Sequence, residues 1–222
     1  AVVRRGFHLR SFELPPGYLP PPGTPLSEID TPALIVDLDV AEANIIKMAR
    51  FLAGHGVALR PHVKNHKSPY FARKQIAAGA IGVCVAKVGE AEVMAEGGIQ
   101  DIFIANEIVT PVKIARLMAV AGVAKVSVAV DTERNLRDLS AAARKSGVEI
   151  GVLVDVNIRI NRCGVEPGGP AVALARAASD MPGVRFEGLM GYEGHITGAC
   201  ADEKARTETL GSLDKLLFTI RA

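Results

Sequence analysis

The chain has no tryptophan and only 5% aromatic residues. That composition suits buried strands alternating with Ala-rich helices better than the core of a β-sandwich. No run of about 18 consecutive apolar residues occurs, so a transmembrane helix is not expected. Neither sign of charge dominates: 26 Lys and Arg face 24 Asp and Glu, for a net charge of +2. The basic residues are spread along the chain without a cluster or basic face, so no nucleic-acid partner is expected. Three cysteines, Cys84, Cys163 and Cys200, form neither a CxxC pair nor a zinc-finger spacing, and an odd number cannot all pair within one chain. A disulfide framework is therefore disfavoured, and a reducing, cytoplasmic setting is expected. What is present, 222 residues that are 49% hydrophobic, supplies the core of one large domain or two small ones and excludes disorder.

Proline is concentrated in one place. Pro15, Pro16, Pro20, Pro21, Pro22 and Pro25 fix φ and remove backbone donors, which predicts an extended arm over residues 1–30. Arg4-Arg5-Gly6-Phe7 has the look of a twin-arginine signal, but the residues from Leu9 to Pro16 are no apolar segment, and the stretch reads as a tail. The folded domain is expected over residues 31–222.

From Thr31 onward, short apolar runs rich in β-branched residues alternate with Ala-rich amphipathic segments, the pattern of βα units and a parallel sheet. Strands are predicted over Ala33–Asp37, Val57–Lys64, Gly82–Val88, Asp101–Asn106, Lys125–Asp131, Glu149–Val156 and Arg185–Tyr192. Helices are predicted over Val40–Ala53, Pro69–Ala78, Glu90–Glu96, Pro111–Ala121, Glu133–Ser146, Pro170–Ser179 and Asp202–Ile220. Near-uniform units, and no GxGxxG after any strand, favour an α/β barrel of the parallel (β/α)8 type over an open doubly wound sheet. In either closure the polar residues at the carboxyl ends of the strands line the site. That rule selects His62, Lys64, His66, Lys87, Asn106, Glu107, Asp131, Asp155, Asn157, Arg162, Tyr192, Glu193 and His195.

The densest run is Arg60-Pro61-His62-Val63-Lys64-Asn65-His66-Lys67. Strand alternation places Arg60, His62 and Lys64 on one face, with His66 joining them if the strand runs that far. A lysine in a barrel mouth either snorkels to water or is neutral and able to attack a carbonyl. A metal shared by His62 and His66 is disfavoured, because imidazoles at i and i+4 of a strand lie ~13 Å apart. Other strand ends have local explanations. Asp131 and Thr132 read as a helix cap, as do Asn106 and Glu107 for the helix at Pro111, and Cys84 reads as a small apolar filler. Cys163 has no adjacent histidine to activate it as a nucleophile.

The run RPHVKNHKSP, preceded by TPALIVDLD and EANI and followed by GVCVAKVGEAEVMAEGGIQDIFIANEIV, NRCGV and GLMGYEGH, resembles the D-threonine aldolase and D-serine dehydratase group. Its members are pyridoxal-phosphate enzymes of the alanine-racemase type (fold type III), and the likeness is to their N-terminal portion. The resemblance implies that Lys64 forms the Schiff base with pyridoxal 5'-phosphate, that Arg162 approaches its phenolic oxygen, that Tyr192 lies against its ring and that His62 shapes the wall beside the lysine. It implies a lyase cleaving D-β-hydroxy amino acids such as D-threonine to glycine and an aldehyde. D-serine or D-3-hydroxyaspartate dehydration is the close alternative, and a non-catalytic cofactor-binding homeostasis protein a further one. It also implies a homodimer and a divalent metal (Mn, Mg or Zn). The metal's ligands belong to a C-terminal β domain that the sequence lacks, as it lacks two of the eight barrel strands. About six barrel strands are expected, beginning at Val57.

Overall fold

The computed structural model describes residues 20–196 and 203–222. The Arg4-Arg5 tail, most of the proline arm, and Cys200 lie outside the described residues. The chain divides into two compact units, Ala1–Ala41 and Glu42–Ala222.

In the first unit a single 3₁₀ turn covers Leu26–Glu28. The strand expected over Ala33–Asp37 does not form. Its apolar side chains are exposed, Leu34 to 94%, because no described strand pairs with this segment, and an apolar run without a partner gains neither ladder bonds nor burial. Asp37 instead starts a helix: its Oδ1 accepts the Val40 N–H at 3.0 Å, satisfying one of the free donors of a first turn. Helix α1 spans Leu38–Gly54.

The second unit is built on β1 (Val83–Val85), β2 (Asp101–Glu107), β3 (Lys125–Val130), β4 (Ile150–Val156) and β5 (Val184–Gly191). All pairings are parallel and the spatial order is β1-β2-β3-β4-β5. Helices α3 (Val88–Glu96), α4 (Pro111–Ala121), α5 (Glu133–Ser146) and α6 (Gly169–Asp180) connect successive strands, α2 (Pro69–Ala77) precedes β1, and α7 (Glu203–Arg221) follows β5. Sequential order with a helix after each strand is the arrangement of a (β/α) barrel, here as an incomplete arc.

Side-chain alternation gives the sheet two faces. Ile102, Ile104, Val126, Val128, Val130, Val152 and Val154 pack with Leu117, Leu136, Leu139 and Leu174 in one buried cluster. Burying such side chains stabilises the fold by about 1.5–3 kcal/mol each. Helix limits follow local chemistry. In α5, Thr132 caps the start by accepting the Asn135 N–H at 3.3 Å, and Gly147 ends it in the left-handed region at φ 65. Pro111 opens α4, where its missing N–H costs nothing. Its cap residue is Thr110 rather than Asn106 or Glu107.

The strand expected over Val57–Lys64 is reduced to one parallel bridge, His62 to Cys84. The segment does run beside β1: Ile81 N–H donates to Leu59 O at 2.9 Å, Cys84 N–H to Pro61 O at 2.8 Å and Val63 N–H to Cys84 O at 2.8 Å. Continuing the ladder one step back would need an N–H from residue 61, and Pro61 has none. Beyond Val63 the chain turns, so Lys64 and His66 do not share a strand face with Arg60 and His62. Among the described residues no helix is long and apolar enough to cross a membrane.

Candidate functional site

The Lys64 turn is closed by the Lys67 N–H, which donates to Val63 O at 2.7 Å with Lys67 in the left-handed region at φ 51. Val63 is fully buried and anchors the turn, while Lys64 is exposed on it. His62 lies beneath, its Nδ1 accepting the Lys64 N–H at 3.4 Å. Burial and then the positive charge of Lys64 hold the His62 imidazole below its ordinary pKa, against the pull of Glu90, so the ring is neutral at pH 7. His66 is spent differently: its Nδ1 accepts the Ser68 N–H at 3.0 Å, and its ring meets Phe71 edge-on at 5.6 Å. Each imidazole gives one nitrogen to the backbone, and the two do not form a metal pair.

Glu90 is 7% exposed. From the first turn of α3 its Oε2 accepts the Ala86 N–H at 2.8 Å, and its Oε1 lies 4.0 Å from Lys67 Nζ. The carboxylate thus ties the end of the lysine turn to the carboxyl end of β1. The signal for it in sequence is a glutamate at the third helical position, where capping-box side chains reach back toward preceding amides.

Beyond β4 the chain folds back on itself. Val165 N–H donates to Asp155 O at 2.9 Å and Asn157 N–H to Val165 O at 2.8 Å. Asn161, at φ 54, exchanges hydrogen bonds with Asn157. Gly164 sits at φ +94, where a Cβ would lie 2.8 Å from the Asn157 backbone nitrogen, so only glycine fits. This turn puts the Arg162 guanidinium 5.2 Å from the centroid of the Tyr192 ring, a cation–π arrangement at the carboxyl ends of β4 and β5. The two residues line a concavity with Asp155, Ile158, Ile160 and Cys163.

Acidic groups gather under this turn. Polar atoms of Glu107, Asp155 and Cys163 all lie within 4.8 Å of one another. Asp155 is 4% exposed, and the Cys163 thiol donates to its Oδ2 at 3.2 Å. Asp131 Oδ2 accepts the Gly164 N–H at 3.3 Å, and Glu107 Oε1 is buried without a partner. Burial, followed by the charges of Asp131 and Asp155, pushes the Glu107 carboxyl above its usual range. Burial likewise raises Asp155, though Cys163 and Glu107 oppose it. Burial pushes the Cys163 thiol up to about 11, so it stays protonated. Arg162 already brings a positive charge to this group, and the Cys163 thiol is engaged as a donor to Asp155.

The opposite end of the sheet holds a different arrangement. Arg60 Nη1 meets Asp101 Oδ1 at 2.6 Å, Lys125 Nζ lies 3.2 Å from Asp101 Oδ2 and 3.8 Å from Glu187 Oε1, and Arg185 Nη2 lies 2.7 Å from Glu187 Oε1. Arg185 also pairs with Glu149, and Ser127 Oγ donates to Glu187 Oε2 at 2.5 Å.

Of the residues selected from the sequence, the structure brings His62 together with Lys64, and Arg162 with Tyr192. Lys87 is the cap residue of α3 without a side-chain cap bond, and Asn106 bonds the Glu107 amide and Ala86 O. Glu193 Oε1 and both ring nitrogens of His195 are buried without partners among the described residues.

Comparison with known proteins gives the family. The family model described as alanine racemase, N-terminal domain, matches residues 36–220. D-threonine aldolase from an Arthrobacter species is 47% identical over 188 residues, 85% of this chain and 49% of that protein. 3-Hydroxy-D-aspartate aldolase from Paracoccus denitrificans is 44% identical over 191 residues, 84% of this chain and 49% of that protein. The crystal structure of D-threonine aldolase from Filomicrobium marinum superposes with a TM-score of 0.87 at 45% identity, covering 89% of this chain and 53% of that one. The chain therefore spans about half the length of the relatives it matches. With its parallel βα units, and with a lysine turn and an arginine–tyrosine pair at the carboxyl ends of the strands, the chain belongs to the alanine racemase N-terminal domain family.

Proposed function

We propose that this chain is the cofactor-binding portion of a pyridoxal-phosphate lyase that cleaves D-β-hydroxy amino acids, such as D-threonine, to glycine and an aldehyde. The observation that carries this reading is the set of groups at one end of the sheet: an exposed amine on Lys64, a neutral imidazole beneath it, and a guanidinium over the face of Tyr192. These match the cofactor's aldehyde, phenolic oxygen and ring. Similarity to two aldolases over most of the chain supports carbon–carbon cleavage.

When bound, pyridoxal phosphate supplies an electron sink for the bond that breaks next to the substrate amine. The chain's own residues prepare that chemistry. Lys64 presents its amine from a turn fixed at Val63 and Lys67, so it is positioned without being buried. His62, uncharged, adds no second positive charge beside that amine. Arg162, braced on Tyr192, holds a fixed cation toward an ionised oxygen. Tyr192 offers an aromatic face. The Gly168-Gly169-Pro170 turn is no phosphate cradle, since the Gly168 N–H already donates to Thr219 Oγ1 at 2.9 Å and Pro170 has no donor.

The whole enzyme is proposed to be a cytoplasmic homodimer that requires a divalent metal held outside this chain. The Glu107, Asp155 and Cys163 group already has the Arg162 cation as its counter-charge. Borohydride reduction of the protein followed by peptide mapping tests the reading. A phosphopyridoxyl group is expected on Lys64, and its absence there overturns the proposal. Aldehyde release from D-threonine is expected to cease with a chelator. Release of ammonia and a 2-oxo acid without aldehyde would instead assign the site to dehydration.

A further inference from the structure

Three carboxyl groups, Glu107 at the end of β2, Asp131 just beyond β3 and Asp155 in β4, converge beneath the Arg162 turn. The charged and titratable groups that face them are Arg162 and Cys163 from the loop after β4, with Tyr192 beyond β5 on the far side of Arg162. One cation does not balance three carboxylates, of which Asp155 is buried, and a carboxyl crowded by another holds its proton more tightly. Two of the acids already have donors suited to the charged form: Asp155 takes the Cys163 thiol at 3.2 Å and Asp131 takes the Gly164 amide at 3.3 Å. Glu107 draws only on its own backbone N–H, and its Oε1 is buried without a partner.

From this asymmetry we infer that Glu107 and Asp155 share one proton, carried on Glu107 and donated to Asp155, and that the charged Asp155 positions Arg162 through Cys163. Cys163 links the two: its thiol donates to Asp155 at 3.2 Å, and it follows Arg162 directly in the chain. Glu107, Asp155 and Cys163 are thus positioning residues, each acting through Arg162. The upward displacement of both carboxyls agrees with a bound proton. The role assigned to Arg162 rests on the function proposed above. The proton itself does not.

Two measurements separate these. Infrared spectroscopy of the cofactor-free protein at neutral pH is expected to show the carbonyl band of a protonated carboxylic acid, and Glu107→Gln is expected to remove it. A wild-type spectrum without that band overturns the shared proton. On the cofactor-loaded protein, the pH titration of the cofactor's absorption is expected to be kept by Glu107→Gln, whose amide donates to Asp155 as the acid did. Asp155→Asn is expected to shift it by about one pH unit or more. Cys163→Ser is expected to keep the wild-type titration and Cys163→Ala to move it, a comparison that stands even if Asp155→Asn fails to fold. Wild-type titrations for both Asp155→Asn and Cys163→Ala overturn the positioning role. If borohydride finds no cofactor on Lys64, the proposed function fails, and the infrared band still decides the proton.

Discussion

At the amino ends of the strands Arg60, Asp101, Lys125, Glu187, Arg185 and Glu149 are joined cation to anion. At the carboxyl ends Glu107 and Asp155 are crowded together, the oxygens of Glu107 and Glu193 include buried ones without partners, and Lys64 stands exposed. The same sheet therefore satisfies its charges at one end and leaves them under tension at the other. A parallel sheet with helices after each strand directs its loops, and hence its chemistry, to the carboxyl ends, while the amino ends serve stability. The difference shows that polar residues in one barrel face are not equivalent: pairing marks structure, and uncompensated polarity marks the site.

Substitutions at the two ends should therefore separate activity from stability. The largest effect is expected for Lys64→Ala, which should lower aldehyde release by about 10³-fold or more while leaving thermal unfolding within about 0.5 kcal/mol of the parent, as surface changes do. Activity that survives this change would break the comparison at its active end. Next is Gly164→Ala, where a Cβ meets backbone at φ +94. A destabilisation of about 1–3 kcal/mol is expected, read from chemical denaturation, with loss of cofactor affinity because the Arg162 turn cannot close. Arg60→Ala should cost about 1–3 kcal/mol by leaving Asp101 without its part-buried, charge-assisted partner. Catalysis per folded molecule should be unchanged, and a fall in it would show that the amino end serves more than stability.

The smallest effects are in pH dependence, and the two ends should carry opposite signs. Burial tends to raise Glu187, but hydrogen bonds from Ser127 and Arg185 and the charge of Lys125 outweigh it and hold the carboxyl below its usual value. Its contribution is present above the unfolded value and lost as pH falls through the folded one, so Glu187→Gln should flatten acid unfolding. Glu107 is held above its usual value by burial first. Its contribution is full below the unfolded value and lost as pH rises through the folded one. Glu107→Gln should therefore reduce the loss of melting temperature between acid and neutral pH. Matching slopes for the two variants would erase the contrast.

Much of this was legible in the sequence because the signals were local. The limits of α4 and α5 follow from Pro111, Thr132 and Gly147, and β2 to β5 follow from β-branched runs bounded by turns. The errors came where a neighbour decides. Ala33–Asp37 has the composition of a strand, but no described strand pairs with it. Val57–Lys64 looked continuous because pattern reading counts side chains, whereas a ladder counts amide protons, and Pro61 lacks one. In the site, Lys64, His62, Arg162 and Tyr192 stood out through motifs. Glu107 and Asp155 were visible only as strand ends, because a shared proton requires two residues 48 positions apart to meet. Cys163, dismissed as a nucleophile, acts instead as a donor to Asp155.

Pro61 also sets how the lysine edge can be watched. Of the three backbone hydrogen bonds that fasten Leu59–Val63 to its neighbours, two are donated by Ile81 and Cys84, and the segment itself donates only from Val63. Deuterium uptake at that one amide consequently times the lifting of the Lys64 turn from the sheet, a clock on a single proton for the edge that presents the amine.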